Sequence, residues 1–339
     1  MENTLEFQQV VQQMDAYGHA GTPFFFVWDF EGKKPLLFPL FAIDPTQIQF
    51  TFPGMSKPLP QLTPLEYLEW ELEPMGKEEY HKRFLAAHKE MLAGNSQLLS
   101  LTFPTRIHTN ASLLELFQIT QAPYKLWIKD TCTVFSPEAF VRINQDTIST
   151  YPMKGTRTQA EYKQRSLLLD DPRENAEHAT IVDVLRTDLA RIADEVELVK
   201  YRYVDQVTTA AGQLLQTSSV IQGQIKDSLK RSYGTILSQI FPPGSVSGSP
   251  KDKSIHIIRR IEGQPRGYYT GIMGYFDGLQ MDSAVLIRFV EQTPDGYFFR
   301  SGAGITMRSE WLAEYQEMLA KCQLPLAREH RHLMQGALV

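Results

Sequence analysis

Short apolar runs, each closed by a turn, recur along this chain and constrain its fold more than any other feature. Pro23-Phe24-Phe25-Phe26-Val27-Trp28-Asp29-Phe30 and Pro35-Leu36-Leu37-Phe38-Pro39-Leu40 are separated by Glu31-Gly32-Lys33-Lys34, a hairpin signature. Ile48 to Phe52 alternates as a third strand. Strand-like runs follow at Leu98–Pro104, Tyr124–Ile128, Thr133–Phe135, Phe140–Ile143 and Thr147–Tyr151, then at 196–198, 202–208, 271–276, 283–290 and 296–301. Helical spacing predicts helices over residues 1–20, 77–93, 112–117, 222–241, 254–261 and 309–321. One more starts at Pro172, with Asp171 as its cap, and reaches about Ala193. Residues 53–75 read as a loop. The segment from Pro325 to Val339 carries no pattern, which predicts a loosely held end.

At 339 residues and 42% hydrophobic, the chain can bury a large core, as two ordinary domains or one large β-rich domain. No repeat or linker marks a boundary. The net charge of -5 supplies no basic field, which argues against a nucleic-acid partner. No run reaches the ~18 apolar residues of a membrane span. Cys132 and Cys322 suggest neither a disulfide framework nor a zinc spacing. The opening residues lack a signal-like run, so a cytoplasmic enzyme is the expected class.

Tyr151-Pro152-Met153-Lys154-Gly155-Thr156-Arg157 places one lysine in a constrained loop between a strand and a long helix. Such an amine is a nucleophile when desolvation or nearby cations lower its pKa, and an ordinary solvated lysine otherwise. Two acidic pairs border buried helix faces. At ~100° per residue, Glu174 lies within the apolar sector of the helix after Pro172, with Glu177 at its edge. In the final helix Glu314 lies at the edge of the stripe, Glu317 just beyond it, and Lys321 on the same side. Both pairs suit Mg²⁺, which takes carboxylates and water, although Glu174 and Glu177 also suit a helix N-terminus. Gly302-Ala303-Gly304 predicts backbone N–H groups for an anion near a helix start. Arg288 is a cation in an apolar strand, and Ser247-Gly248-Ser249-Pro250-Lys251 adds hydroxyls and a further cation. Together these groups suit a small substrate with two carboxylates.

With these segments the sequence resembles the chorismate-utilising family, the synthase subunits that make anthranilate, aminodeoxychorismate and isochorismate. The resemblance rests on residues 152–157, 174–183 with Arg186 and Asp188-Leu189, 241–251, 271–275, 287–288, 302–305 and 313–317, in family order. It implies an α/β (α+β) fold, a large and mostly antiparallel β-sandwich with helices packed outside. Residues 1–93 would be strands and a helix integrated into that sandwich, 94–324 the chorismate-binding catalytic region, and 325–339 a tail.

By the same resemblance Glu177 and Glu317 hold Mg²⁺, with Glu174 and Glu314 assisting. Thr156, Ser247, Tyr275, Arg288, Gly302, Ala303, Gly304 and Lys321 line the chorismate site. Anthranilate and isochorismate enzymes typically carry alanine at the position of Lys154, whereas one type of aminodeoxychorismate synthase carries lysine as a covalent nucleophile. The implied reaction is amination of chorismate for para-aminobenzoate and folate synthesis, with ammonia from a separate glutamine amidotransferase subunit. Anthranilate or isochorismate synthesis, or chorismate binding without turnover, are the alternatives. Asp205 stands where the family often has histidine, His256 where glutamate is common, and Thr187 where asparagine is usual. The short N-terminal part predicts no tryptophan effector pocket.

Overall fold

The Thr4 hydroxyl accepts the Phe7 N–H and caps helix α1 (Leu5–Ala20), which Gly21 closes at φ 66°, where a residue without Cβ is least strained. Strands β1 (Phe24–Trp28), β2 (Leu36–Pro39), β3 (Ile48–Thr51) and β4 (Glu71–Glu73) precede helix α2 (Lys77–Leu92) and the long strand β5 (Leu98–His108). Helix α3 (Leu113–Ile119), opened by a Ser112–Glu115 capping box, leads into a run of five strands. These are β6 (Tyr124–Ile128), β7 (Cys132–Ser136), β8 (Ala139–Asn144), β9 (Thr147–Thr150) and β10 (Met153–Thr158). After α4 (Pro172–Ile192) come β11 (Ala193–Thr209), β12 (Gly212–Ile225), α5 (Tyr233–Ile240), α6 (Gly244–Ser247), β13 (Gly248–Ser249) and α7 (Lys251–Glu262). Then follow β14 (Ile272–Phe276), β15 (Gln280–Val285), β16 (Phe289–Thr293), β17 (Gly296–Ile305) and α8 (Trp311–Ala320). This computed structural model describes residues 4–55, 65–158, 172–209 and 212–334, with side chains for all of these but 154–158, 172–174, 205–209, 212–216 and 334.

Among the described residues the strands form two antiparallel sheets. The first runs β10-β12-β9-β8-β15-β14-β1-β2, with β11 also on β12. The second runs β13-β5-β17-β16-β7-β6-β3, with β4 also on β5. Phe25, Val27, Met273 and Ala284 of the first sheet meet Phe50, Leu126, Val134 and Phe289 of the second. On the first sheet's outer face, Phe24, Phe26 and Trp28 pack against Phe7, Leu185 and Leu237 of the helices. On the second sheet's outer face, Leu99, Leu101 and Ala303 pack against Phe84, Ile258 and Met318. The chain is therefore a mostly antiparallel sandwich with helices outside, as the resemblance implied.

The unbroken run Phe24–Trp28 follows from this layering. Strand side chains alternate between faces, and β1 has a core on each face, so all five residues are fully buried. Each contributes roughly 2 kcal/mol by leaving water.

Elsewhere the structure departs from the sequence reading. The expected helix over 222–241 begins only at Tyr233, because Gln222–Ile225 completes strand β12. Ile221, Gly223 and Ile225 alternate there with Gln222 and Gln224, and that period of two decides the local structure. Gly302, Ala303 and Gly304 lie inside β17 rather than before a helix. The loop expected over 53–75 contains β4. The C-terminal segment is docked: Ala327 N–H donates to Ile119 O, Leu68 N–H to Leu333 O, and Leu326 and Leu333 are buried beside α3. No helix of the described residues is long and apolar enough to cross a membrane. Asp171, the expected cap of α4, lies outside the described residues.

Lys125 on β6 is buried, its ammonium donating to Thr120 O at 2.7 Å and lying 4.4 Å from the Phe117 ring centroid. Burial pushes its pKa down to about 8. The unfolded chain keeps that proton up to about 10.4, so between those values the unfolded state binds more protons and stability rises with pH. From about pH 8 to about pH 9.5 the gain is at most about 2 kcal/mol. Denaturant titrations at these two pH values should show the wild type gaining on Lys125→Met as pH rises; parallel behaviour would refute this placement of the amine.

Candidate active site

The chain passes between the sheets at two adjacent places. Pro137-Glu138 joins β7 of the second sheet to β8 of the first, and Leu286-Ile287-Arg288 joins β15 of the first to β16 of the second. Backbone bonds tie each crossing to its neighbour: Phe135 N–H donates to Arg288 O at 3.0 Å, and Val285 N–H to Glu138 O at 3.1 Å. Arg288 makes its turn at φ 55°, a region that non-glycine residues seldom occupy. Its guanidinium donates to Lys321 O at 2.6 Å. Burial pushes the Arg288 pKa down, against the opposing pull of Tyr269, Cys322 and Glu317. Opposite stands Glu138, which accepts the Ser245 hydroxyl at 2.6 Å. Burial pushes the Glu138 carboxyl up, while the Ser245 bond and the Lys321 charge pull it back.

The Arg288 turn also exposes a strand edge. β16 pairs with β17 only as far as Phe289 opposite Arg300. From Ser301 to Ile305, β17 keeps β5 on one side and, among the described residues, has no strand on the other. Gly302 O accepts the Lys321 ammonium at 2.8 Å. Both backbone groups of an antiparallel strand residue point to the same side, so the Gly302 and Gly304 N–H groups face this open edge. The anion donors expected at a helix start are thus carried by the rim of a sheet. A Cβ on Gly302 would lie 2.4 Å from Leu101 O, so this close strand pairing excludes a side chain.

The predicted residues divide around this corner. Arg288, Lys321 and the Gly302–Gly304 edge come together, with Glu317 bound to Lys321 at 2.7 Å. Glu314 is buried on the same helix, and with Glu317 it raises the Tyr80 phenol, after the larger effect of burial. Glu177 is buried on α4. The remaining serine, lysine and tyrosine assignments fall elsewhere. Ser247 is fully buried and donates to Pro243 O at 2.9 Å, so Ser245 is the loop hydroxyl that reaches the acid. Lys251 is closed in a buried pair with Asp188 at 2.7 Å. Tyr275 packs on Phe50 and Phe52 at 6.2 and 5.8 Å between centroids, whereas Tyr269 is the tyrosine that feels Arg288. Ala303 turns its side chain into the core beneath α8. The side chains of Lys154, Thr156, Glu174 and Asp205 lie outside the described residues, although the β10 backbone sets Lys154 opposite Thr217 of β12.

Sequence reasoning passed over Glu138, Ser245 and Tyr269. The available signal was a carboxylate following Ser136-Pro137 between two apolar strands, where a charge has no structural reason to be. For Mg²⁺, buried Glu177 and Glu314 with exposed Glu317 are the hard oxygen donors that such an ion takes. Among the described residues no three acidic, histidine or cysteine side chains gather as a cage.

A cation pair, a strand edge of N–H donors and a buried carboxyl form an enzyme site suited to a small anionic substrate that exchanges a proton. The chain belongs to the chorismate binding enzyme family, which it matches over residues 47–327. It is 44% identical over 318 residues to an uncharacterized PabA-like protein of Pasteurella multocida (strain Pm70), covering 93% of this chain and 98% of that one. It is 33% identical over 237 residues to an anthranilate synthase component 1 of Haloarcula marismortui, covering 65% of this chain and 46% of that one. It is 30% identical over 270 residues to the aminodeoxychorismate synthase component 1 of Escherichia coli (strain K12), covering 75% of this chain and 58% of that one. The menaquinone-specific isochorismate synthase of Escherichia coli shares the fold, with a TM-score of 0.72 at 17% identity over 93% of this chain and 80% of that one.

If the Ser245 bond favours the ionised carboxyl, its removal leaves burial less opposed. NMR titration of Ser245→Ala should place the Glu138 pKa about one unit above the wild-type value; an unchanged titration would refute the contact.

Proposed function

We propose that the chain is the component of an aminodeoxychorismate synthase that converts chorismate and ammonia to 4-amino-4-deoxychorismate. Lys154 carries the reading, because it is a primary amine at the position that separates aminating enzymes with a covalent step from their anthranilate-forming and isochorismate-forming relatives. Ammonia would come from a separate glutamine amidotransferase subunit, and the product would serve para-aminobenzoate and folate synthesis in the cytoplasm. The likeness to an aminodeoxychorismate synthase component 1 supports this, but the anthranilate synthase relative is similarly close. Identity therefore does not discriminate, and the reading rests on the lysine.

In the proposed mechanism Arg288 and the Gly302 and Gly304 N–H groups bind a substrate carboxylate. The neutral Lys154 amine attacks carbon 2 of the ring. As the carbon–nitrogen bond forms, both conjugated ring double bonds shift, the carbon 4 hydroxyl takes a proton from Glu138 and departs as water, and the extra proton of the adduct nitrogen passes back to the Glu138 carboxylate. Burial shifts Glu138 towards its protonated form, against the pull of Ser245 and Lys321. Ammonia then attacks carbon 4, the double bonds return, and the Lys154 amine leaves with a proton from Glu138, which the new carbon 4 ammonium replaces. Splitting one substitution into two is the general gain of nucleophilic catalysis. Glu177 and Glu317 would hold Mg²⁺, assisted by Glu174 and Glu314, and the ion would neutralise and orient a substrate carboxylate.

The test supplies chorismate, ammonium and Mg²⁺ and separates the products by chromatography. Wild type should form the 4-amino product, and Lys154→Ala should lose at least about 100-fold of that rate. Without ammonium, intact-mass spectrometry should find the wild-type chain heavier by chorismate less one water. Anthranilate or isochorismate as the product, or equal rates in the two proteins, would reject the reading. Chelation of divalent ions should abolish turnover, and magnesium should restore it.

A further inference from the structure

Behind the corner described above lies a buried ion pair that the proposed mechanism does not use. Arg266 and Glu262 are 2% and 3% exposed, and every donor of the guanidinium is engaged. Nε and Nη2 hold the two Glu262 oxygens at 2.9 and 2.7 Å. Nη1 donates to Val246 O at 2.8 Å and to the Thr270 hydroxyl at 3.2 Å, and Nη2 to Ser100 O at 2.5 Å. Glu262 also accepts the Thr102 N–H at 2.8 Å and its hydroxyl at 3.0 Å. Glu31 fixes the Arg266 and Gly267 N–H groups at 3.0 Å each, and the guanidinium lies 4.6 Å from the Phe30 ring centroid.

These attachments are not distributed at random. Val246 follows Ser245, the residue that reaches Glu138. Ser100 and Thr102 are the β5 partners of Gly304 and Gly302. Thr270 follows Tyr269, which feels Arg288. Thr270 is also held at φ 60°, a conformation costly for a β-branched residue and stable only where its surroundings over-determine it. A buried pair of this kind adds little net stability over well-packed apolar residues, so its geometry calls for another reason.

We propose that the Arg266–Glu262 pair is the positioning unit of the site. It clamps from behind the Ser245 loop, the glycine strand edge and the Tyr269 turn, so that the three meet one substrate in fixed register. The two arms of the clamp separate. The Arg266 arm holds the Ser245 segment, and hence the chemical step, together with the Gly304 end of the edge through Ser100, whereas the Glu262–Thr102 arm holds the glycine edge alone and hence binding. This rests on chorismate turnover as proposed, but not on which product forms.

The test measures chorismate consumption and, by calorimetry, chorismate affinity, in the full chain with Mg²⁺ and ammonium. Arg266→Lys keeps the charge opposite Glu262 but cannot span Val246 O, Ser100 O and Thr270. It should lower kcat about tenfold and raise KM as well. Ser245→Ala should cost little more in that background than the lysine variant alone, since both remove one contact. Thr102→Val, nearly isosteric, should raise KM and weaken chorismate affinity severalfold with kcat unchanged. Wild-type kcat and KM in both variants, or losses with Ser245→Ala that simply multiply, would overturn the clamp. If Arg266→Lys does not fold, Thr102→Val decides alone: weaker affinity supports the proposal and unchanged affinity overturns it. A wild type that binds chorismate without consuming it rejects the proposed reaction, and the affinity of Thr102→Val then still decides the clamp.

Discussion

Two neighbouring crossings of the gap between the sheets, one through Glu138 and one through Arg288, set the corner around which the candidate site is built. A strand that continued through either point would send the charged side chain into an apolar core, at a cost of several kcal/mol. By changing sheets the chain ends that core instead. The reciprocal backbone bonds of Phe135 and Val285 keep the crossings together. A carboxyl and a guanidinium are thereby fixed in one corner by main-chain geometry, before any side-chain contact between them is counted.

Around the corner, ion pairs serve register more than stability. Asp188 and Lys251 meet at 2.7 Å, both nearly inaccessible, and the same ammonium donates to Ile240 O at 2.7 Å. Burial raises the Asp188 pKa and lowers that of Lys251, each opposed by the partner charge. Such a pair fixes where α4, with its Glu177, stands against the segment that carries Ser245. Gly244 lets those helices touch, since a Cβ there would lie 2.4 Å from Val184 Cγ1. Burying paired charges gains little against apolar packing, but it excludes other registers, and a site assembled from separate elements needs that exclusion.

Much of the architecture was legible because strand and helix periods are local. The hairpin at Phe24–Pro39, the helix over α2 and the late strands needed only alternation and turn residues. Residues 222–225 misled because apolar residues four apart also satisfy a helical spacing, and only the pairing of Ile221 with Thr150 decides between the readings. The site was legible where residue type is unusual for its place, as with Arg288 in an apolar strand. Tyr269 and Tyr275 could not be told apart, because which tyrosine senses the Arg288 charge depends on the turn at Thr270. Glu138 was missed because its role arises from a crossing between sheets, which no window of sequence contains. Ser245 took the place of Ser247 because a one-turn helix directs the later hydroxyl back to its own Pro243 carbonyl.

The family likeness spans residues 47–327, yet β1 lies before that span, hydrogen-bonded between β14 and β2. Its five residues occupy the first sheet's interior and supply side chains to both cores. The family model and the cooperative unit therefore draw different borders on this molecule, although the Pasteurella multocida relative matches 93% of the chain. An excised fragment trimmed to the shared region would leave β14 with a raw, unpaired flank and a trench where three phenylalanines, a valine and a tryptophan had lain.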